Sequence, residues 1–246
     1  MLTSDEIATF KAQGYLGPFP MMSPDEMTAI LPGIVNITET PPAGHTSHRS
    51  KLLHNRHLDQ QLMMDLATHP AVVDRMVGLY GPDLLLWRTN FFVKHPGSKR
   101  IPWHQDFNYW PLEPPVICSA WIAIDPATVE NSCLQVIPGS HRKVIPHVKA
   151  TEDMFFNEMG DEKYYDSEEA VDLEMKPGEF ILFNERTLHH SHPNTSDKRR
   201  IGLAIRVILP FVTVLKYDSP DHVIPVIHGT DTLGFNRTKV EDKETT

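Results

Sequence analysis

The chain has 246 residues, a length that suits one large domain with a substantial hydrophobic core. Its formal net charge of −9 argues against a nucleic-acid partner, because nucleic-acid-binding domains usually carry a basic face. No apolar run approaches the roughly 20 residues that span a bilayer, and the first residues lack the basic-then-apolar pattern of a signal peptide, so we expect no secretion. Cys118 and Cys133 are too few for a disulfide scaffold. We therefore expect a cytoplasmic protein with reduced thiols, and its oligomeric state, monomer or homodimer, stays open.

The first 83 residues predict a mostly helical part that packs on the remainder of the domain. Two pairs have capping-box spacing, Thr3 with Glu6 and Ser23 with Glu26. Gly14 predicts the end of the first helix, and Pro32 predicts that the second ends near Leu31. Residues 33–56 form a polar, histidine-rich stretch, either a cover over an active site or a solvated surface loop. Helices are predicted over 58–66 and 70–80.

From residue 84 the pattern changes to short apolar runs divided by Pro, Gly, Asn and Asp. The runs span 84–93, 101–107, 116–124, 134–137, 180–183 and 200–209. This pattern predicts a β-sandwich or jelly roll, so we expect a mainly β fold with flanking helices. The acidic insertion over 141–175 is predicted to form a lid, and 210–246 a C-terminal extension with a frayed end.

One motif, Trp103-His104-Gln105-Asp106, suggests metal binding. Side chains alternate along a strand, so His104 and Asp106 would point to the same side and reach one ion. A second histidine must come from elsewhere, and His189 is the best donor, with His190 and His192 as alternatives. Two histidines and one carboxylate leave open positions on the metal, the ligand set of non-haem Fe(II) oxygenases.

A strand-like run over 200–207 adds a cationic feature. Alternation places Arg200 and Arg206 on one side, with the small residues Gly202 and Ala204 between them. Buried unpaired charges are costly, so packing alone explains these arginines poorly. Arg200 suits the far carboxylate of a keto acid, because a guanidinium makes two parallel bonds to a carboxylate. The alternative for Arg200 is a surface ion pair with Asp197 or a glutamate.

Five motifs occur within 84–209: His104-Gln105-Asp106, Ala120-Trp121-Ile122 through Asp125, Glu130-Asn131 through His141, Pro177-Gly178-Glu179-Phe180, and His189 through Arg200. In combination they resemble the phytanoyl-CoA dioxygenase family. The resemblance implies a double-stranded β-helix, a cupin-like jelly roll, over 84–209. It implies Fe(II) bound by His104, Asp106 and a distal histidine eleven residues before the arginine that binds 2-oxoglutarate. Counting back from Arg200 gives His189.

The same resemblance implies further contacts to the cosubstrate. Ser191 corresponds to a serine that assists the arginine, and Trp121 is expected near 2-oxoglutarate. Asn90, on the strand before the iron motif, is a further polar candidate. Tyr109, Trp110 and Arg206 are candidates for the substrate. Arg88 and Lys94, like Arg206, are candidates for contact with an anionic group.

The implied reaction uses Fe(II), 2-oxoglutarate and O2, with succinate and CO2 as coproducts. Related halogenases carry a small residue where this chain has Asp106, so a carboxylate there favours hydroxylation. The expected substrate is a small polar metabolite, for example an aminoalkylphosphonate; an acyl-CoA, a lipid, a compatible solute and a natural product are alternatives. Two other hypotheses are a non-catalytic barrel that binds a metal or ligand, and a zinc hydrolase, for which the sequence shows no His-Glu-x-x-His element.

Overall fold

A computed structural model describes residues 1–42 and 52–238. Its helices include α1 (Ser4–Gln13), α2 (Pro24–Glu39), α3 (Gln61–Ala67) and α4 (Pro70–Tyr80). The strands are β1 (Tyr15–Pro20), β2 (Leu84–Lys94), β3 (Ile101–His104), β4 (Leu112–Glu113), β5 (Cys118–Ala123), β6 (Leu134–Val136), β7 (His147–Lys149), β8 (Glu158–Gly160), β9 (Val171–Leu173), β10 (Glu179–Asn184), β11 (His189–Ser191), β12 (Arg200–Ile208), β13 (Thr213–Val214) and β14 (Val226–His228). None of the helices in the described ranges is long and apolar enough to span a bilayer.

Two antiparallel sheets form the body of the fold. The larger has six strands in the order β1-β10-β5-β12-β2-β14, and the smaller has four in the order β3-β11-β6-β9. Non-consecutive strands lie side by side in both sheets, which is the connectivity of a jelly roll. The predicted fold class, mainly β with flanking helices, is confirmed.

The larger sheet is covered on both faces. One face packs with the helices in a cluster that includes Met27, Ile34, Met63, Val72, Leu203 and Ile205. The other face packs with the smaller sheet in a cluster that includes Trp121, Ala204, Leu134, Val136 and Leu173. Because both faces are covered, all nine residues of β12 are buried, and its alternation decides which side chains face the smaller sheet.

Both predicted capping boxes are present, and Gly14 ends α1 in the left-handed conformation at φ +80°. The predicted end of the second helix near Leu31 is wrong, because α2 continues through Pro32 to Glu39. Proline inside a helix costs about 3 kcal/mol. Ile34 and Ile37, which follow the proline in the helix, are buried in the core. Burial of each such side chain contributes about 1.5–3 kcal/mol to the stability of the fold. Their burial offsets the break.

Other boundaries differ for similar reasons. The predicted helix over 58–66 is a 3-10 turn at Arg56–Leu58 followed by α3, and the predicted loop over 33–56 begins inside α2. Of its histidines, His45 and His48 lie outside the described residues. His57, just beyond that loop, is buried rather than solvated.

Several strands lie where the sequence analysis expected none, and β1 and β9 are two of those that join the main sheets. β1 pairs with β10 and extends the larger sheet, although the first 83 residues were expected to be mostly helical. β9 pairs with β6 and belongs to the smaller sheet, although it falls within the insertion predicted as a lid. β1 contains two prolines and β9 has only three residues, so their identity as strands depends on their partners rather than on local pattern.

Candidate metal centre

Three buried side chains converge between the two sheets. His104 ends β3, His189 begins β11, and the two are directly paired in the smaller sheet. With Asp106 they place one ligand atom each within 4.8 Å of one another. Asp106 Oδ1 lies 3.5 Å from His104 Nε2 and 3.8 Å from His189 Nε2. A single ion could therefore contact all three.

Backbone carbonyls fix which imidazole nitrogen faces the cluster. His104 Nδ1 donates to the carbonyl of Pro102, and His189 Nδ1 donates to the carbonyl of Thr187, each at 2.8 Å. A carbonyl only accepts, so each Nδ1 carries the proton and Nε2 presents its lone pair. Metal-binding histidines are commonly oriented by such a bond on the other ring nitrogen.

The protonation states of Asp106 and His189 also suit the binding of a cation. Burial alone would raise the pKa of Asp106, but the positive charge of Arg206, with His104 and His189 nearby, outweighs burial and holds that pKa far below its ordinary value. Burial, together with the neighbouring His104, lowers the pKa of His189 to about 4. At neutral pH His189 is a neutral imidazole beside a carboxylate, which is the protonation state that a metal requires.

The two other histidines of the motif lie differently. His190 Nε2 is hydrogen-bonded to Gln135 Oε1, and its ring lies on Trp103 with centroids 4.0 Å apart. His192 packs edge-on against His190, with centroids 4.7 Å apart. Neither belongs to the convergent cluster of His104, Asp106 and His189. The geometry therefore favours His189 over both alternatives.

The sequence analysis expected Asp106 to lie on a strand, on the same face as His104. The structure places it outside the strand. The predicted strand over 101–107 ends at His104, and Asp106 opens a 3-10 turn that runs to Tyr109. Gln105, between the two candidate ligands, holds this turn in place. Its amide donates to the carbonyls of Lys143 at 2.8 Å and Arg186 at 2.6 Å. Sequence reasoning assigned Gln105 no role; the available signal was its polar side chain between two ligands.

Arg200 lies on the inner side of β12 and is only 1% exposed. Its Nη2 donates to the carbonyl of Ser132 at 2.9 Å, and its Nη1 to that of Phe92 at 3.3 Å. Its Nε has no partner, and no acid forms an ion pair with it among the described residues. Burial lowers the pKa of Arg200 to about 10, so the side chain stays a cation. The alternative of a surface ion pair with Asp197 is wrong.

Trp121 lies beside this arginine, with its ring centroid 5.2 Å from Arg200 Cζ. Both line an inner cavity together with the three candidate ligands. A Cβ atom at residue 202 would lie 1.9 Å from Trp121 Cζ2, so the glycine makes room for the indole. Glycine within a strand was the sequence signal for this close approach.

The predicted helper serine takes no part in the hydrogen bonding of Arg200. Ser191 is buried, but its hydroxyl has no partner among the described residues and makes no bond to Arg200. Ser132 contacts Arg200 instead, and its hydroxyl accepts a hydrogen bond from Lys94 Nζ at 2.7 Å. Burial, with Arg200 nearby, lowers the pKa of Lys94 to about 7. Sequence reasoning assigned Ser132 no role; its signal was its position in the motif Glu130-Asn131 through His141.

A larger outer cavity of about 540 Å³ opens next to Asp106. The three predicted substrate residues, Tyr109, Trp110 and Arg206, line it, and so does Asn90. Asn90 therefore borders the outer cavity, whereas Arg200 and Trp121 border the inner one. Phe155 and Phe156, from the insertion over 141–175, complete an aromatic wall.

Several contacts join this wall to the candidate ligands. The rings of Tyr109 and Phe156 lie 5.7 Å and 4.9 Å from that of His104. The Tyr109 hydroxyl donates to the carbonyl of Glu158 at 2.9 Å, which ties the 3-10 turn to the insertion. Arg206 Cζ lies 4.5 Å from the centroid of Trp110, and its Nη2 lies 3.4 Å from Asp106 Oδ2. The two cavities therefore meet at Asp106.

A jelly roll with two imidazoles, a carboxylate and a nearby buried arginine has the fold and site of the non-haem Fe(II)/2-oxoglutarate oxygenases. Comparison with known families agrees. The model of the family Phytanoyl-CoA dioxygenase (PhyH) matches residues 10–202, so the chain belongs to that family.

Individual relatives support this assignment. The chain is 30% identical over 141 residues to "Dioxygenase lolE1" of Epichloe uncinata, covering 57% of this chain and 52% of that protein. It is 31% identical over 157 residues to a "Probable phytanoyl-CoA dioxygenase" of Caenorhabditis elegans, covering 59% and 50%. The chain thus spans about half the length of these curated relatives.

Solved structures resemble the whole chain more fully. The apo form of the non-haem monooxygenase ThoJ has a TM-score of 0.81 at 25% identity, covering 97% of this chain and 90% of its own. CytC3 with Fe(II) and α-ketoglutarate has a TM-score of 0.76 at 28% identity, covering 96% and 92%. The latter contains the metal and keto acid that the site here suits.

Proposed function

We propose that this chain is an Fe(II)/2-oxoglutarate-dependent dioxygenase that hydroxylates a C–H bond of a small molecule. One observation supports this above all: His104, Asp106 and His189 converge within 4.8 Å next to a buried arginine that has no acidic partner among the described residues. The triad supplies a metal site, and the arginine supplies a counter-charge for a carboxylate.

The residues present fit both absent groups. Two imidazole Nε2 atoms and one carboxylate suit Fe(II), with coordination positions left for other ligands. Arg200 would bind the far carboxylate of 2-oxoglutarate, and Trp121 would flank it in the inner cavity. In this proposal Ser191, whose hydroxyl has no partner among the described residues, is a secondary contact of the cosubstrate. Asn90, predicted as a further cosubstrate contact, lines the outer cavity and is assigned to the substrate side instead.

Bound iron would supply the oxidation chemistry, in which O2 and 2-oxoglutarate give succinate, CO2 and a hydroxylated product. The chain's own contribution is binding and orientation. All three candidate ligands are buried, and the carbonyls of Pro102 and Thr187 hold both imidazoles in the ligating tautomer. Asp106 would supply an oxygen ligand to the iron, which favours hydroxylation.

The outer cavity is the proposed substrate site. Its volume lies within the range of about 300–1,000 Å³ that is usual for small-molecule pockets. Tyr109, Trp110 and Arg206 would contact a small polar metabolite there. An aminoalkylphosphonate is one example that the sequence resemblance suggests, and acyl thioesters, betaines and amino acids belong in the same screen.

The test is a succinate-release assay on the metal-free protein reconstituted with Fe(II), 2-oxoglutarate and candidate substrates. We expect slow succinate formation that requires Fe(II) and rises with the correct substrate. Asp106→Ala should abolish it, while Asp65→Ala, which removes an exposed carboxylate, should not. If the reconstituted protein binds neither Fe(II) nor 2-oxoglutarate, a non-catalytic barrel is the better description.

A further inference from the structure

Three polar atoms on one wall of the outer cavity are buried and have no hydrogen-bond partner among the described residues. They are Arg88 Nε, Arg206 Nε and Asn90 Oδ1. Asn90 is 8% exposed and Arg206 5%. A buried polar group left unpaired loses its hydration without a replacement, so three at one cavity indicate a ligand that pairs with them.

Strand pairing places the three together. β12 and β2 are antiparallel neighbours in which Arg206 is opposite Arg88 and Ala204 is opposite Asn90. Residues 88 and 90, and 204 and 206, are two apart and so share a face. Because the small Ala204 lies opposite Asn90, the amide and both guanidinium groups form one polar patch on a rigid sheet.

Aromatic rings and acids hold both arginines without using all their donors. Arg88 Cζ lies 4.4 Å from the ring of Trp87, and its Nη2 contacts Asp218 at 2.5 Å. Arg206 is held in the same way by Trp110 and Asp106. A guanidinium has five N–H donors, so each arginine keeps donors for a further acceptor.

The charge around the cavity also favours an anion. Among the described residues, three cations line it, Arg88, Lys99 and Arg206, against one lining carboxylate, Asp106. Asp106 is itself a candidate metal ligand, so a bound divalent ion would make the cavity more positive. The remaining wall is aromatic and includes Tyr109, Trp110, Phe155 and Phe156.

We propose that Arg88, Asn90 and Arg206 form a subsite for an oxyanion of the substrate, with the aromatic wall holding an apolar body. The two guanidinium groups donate to the oxyanion, and Asn90 Oδ1 accepts from an N–H or O–H beside it. This inference rests on the proposed function only in treating the outer cavity as the substrate site. The substrate class is therefore a small acid with an apolar body, and a carboxylate, phosphonate or sulfonate satisfies the same donors.

The test is a binding measurement that needs no turnover. Phenylacetate, benzylphosphonate and the neutral phenylacetamide are titrated calorimetrically into the protein loaded with Zn(II) and 2-oxoglutarate. We expect both acids to bind at least tenfold tighter than the amide. The tighter of the two acids identifies the oxyanion. Equal binding of acid and amide, or no acid binding at millimolar concentration, would show that the proposal is wrong.

Substitutions of the two arginines test whether the acid binds at the proposed subsite. Arg88→Gln and Arg206→Gln should each weaken acid binding roughly tenfold or more, the effect of losing one charged hydrogen bond, and leave the amide unchanged. Arg88→Gln removes no contact to Asp106, so it remains informative if Arg206→Gln disturbs the triad. Arg142→Gln, which removes an exposed positive charge, is the matched control.

Two further comparisons are needed. Acid binding compared with 2-oxoglutarate binding distinguishes this subsite from the cosubstrate site, and acid binding compared with succinate release distinguishes failure of this proposal from failure of the proposed function. If the two arginine variants lose 2-oxoglutarate but keep the acid, the subsite belongs to the cosubstrate and the proposal fails. Acid binding that depends on Arg88 and Arg206, in a protein that releases no succinate with Fe(II), would support the subsite and contradict the proposed function.

Discussion

His104 and His189 lie directly opposite each other on β3 and β11, with their ring centroids 4.1 Å apart. Strand pairing sets this approach, so a shift of one residue in either strand would turn one imidazole to the other face of the sheet. Because His190 is the next residue on β11, it points away and makes its contacts with Gln135 and Trp103.

This register predicts different outcomes at adjacent positions. His189→Ala should abolish Fe(II) binding and succinate release, because it removes one of the three convergent ligands. His190→Ala should retain Fe(II) and lose only about 1 kcal/mol of unfolding free energy, for a hydrogen bond and a ring contact. Metal content after reconstitution, with urea unfolding, measures both. Loss of iron in His190→Ala with retention in His189→Ala would reverse the assignment.

Replacing Arg200 by lysine should weaken 2-oxoglutarate binding about 10–100-fold, because lysine cannot make two parallel bonds to a carboxylate. Fluorescence quenching or calorimetry on the Zn(II)-loaded protein would measure this. Arg199→Lys is the matched control, since Arg199 pairs with Asp125 rather than facing the inner cavity. Equal affinities in the two variants would remove Arg200 from the proposed site.

Gly202→Ala should displace the Trp121 indole, because the added Cβ would lie 1.9 Å from Trp121 Cζ2. We expect a lower melting temperature and weaker 2-oxoglutarate binding. Gly78→Ala provides the contrast: it lies within α4, and its Cβ would meet only Leu2 at an ordinary 3.5 Å. That change should stabilise by about 0.5–1 kcal/mol through helix propensity. A neutral Gly202→Ala variant would contradict the close approach.

His57 predicts a loss of stability in acid. Burial, with His222 nearby, lowers its pKa from 6.5 to about 3. The unfolded chain therefore takes up a proton below pH 6.5 that the folded chain refuses until near pH 3. The stability from this residue is fully present above the upper value and falls as pH drops, by up to about 1.4 kcal/mol per pH unit.

Urea unfolding of the wild type and of His57→Gln between roughly pH 7 and pH 4 would measure this effect. Over that range the unfolded chain binds the proton and the folded chain does not. Glutamine can keep a hydrogen bond to Thr89, which contacts His57 Nδ1 at 2.9 Å. The variant should show a shallower fall in unfolding free energy over the same range. Parallel pH profiles would exclude His57 as the source.

Much of the fold and part of the site can be predicted from local pattern alone. The starts of α1 and α2 could be predicted from their capping residues, because these side chains bond to backbone N–H groups three residues away. Alternation in β12 correctly placed Arg200 and Arg206 on one inward side, because strand side chains alternate regardless of context. The His-x-Asp motif and the spacing from His189 to Arg200 indicated the residues that converge.

The tertiary structure determined the features that depend on residues far apart in sequence. Whether Pro32 ended α2 depended on the burial of Ile34 and Ile37 in the core. Short strands such as β1 and β9 formed only because β10 and β6 offered paired edges. Contacts of Ser132 with Arg200, and of Arg88 opposite Arg206, link residues far apart in sequence. Local propensity carries no information about such pairs, because their energy arises only when the chain folds and buries them together.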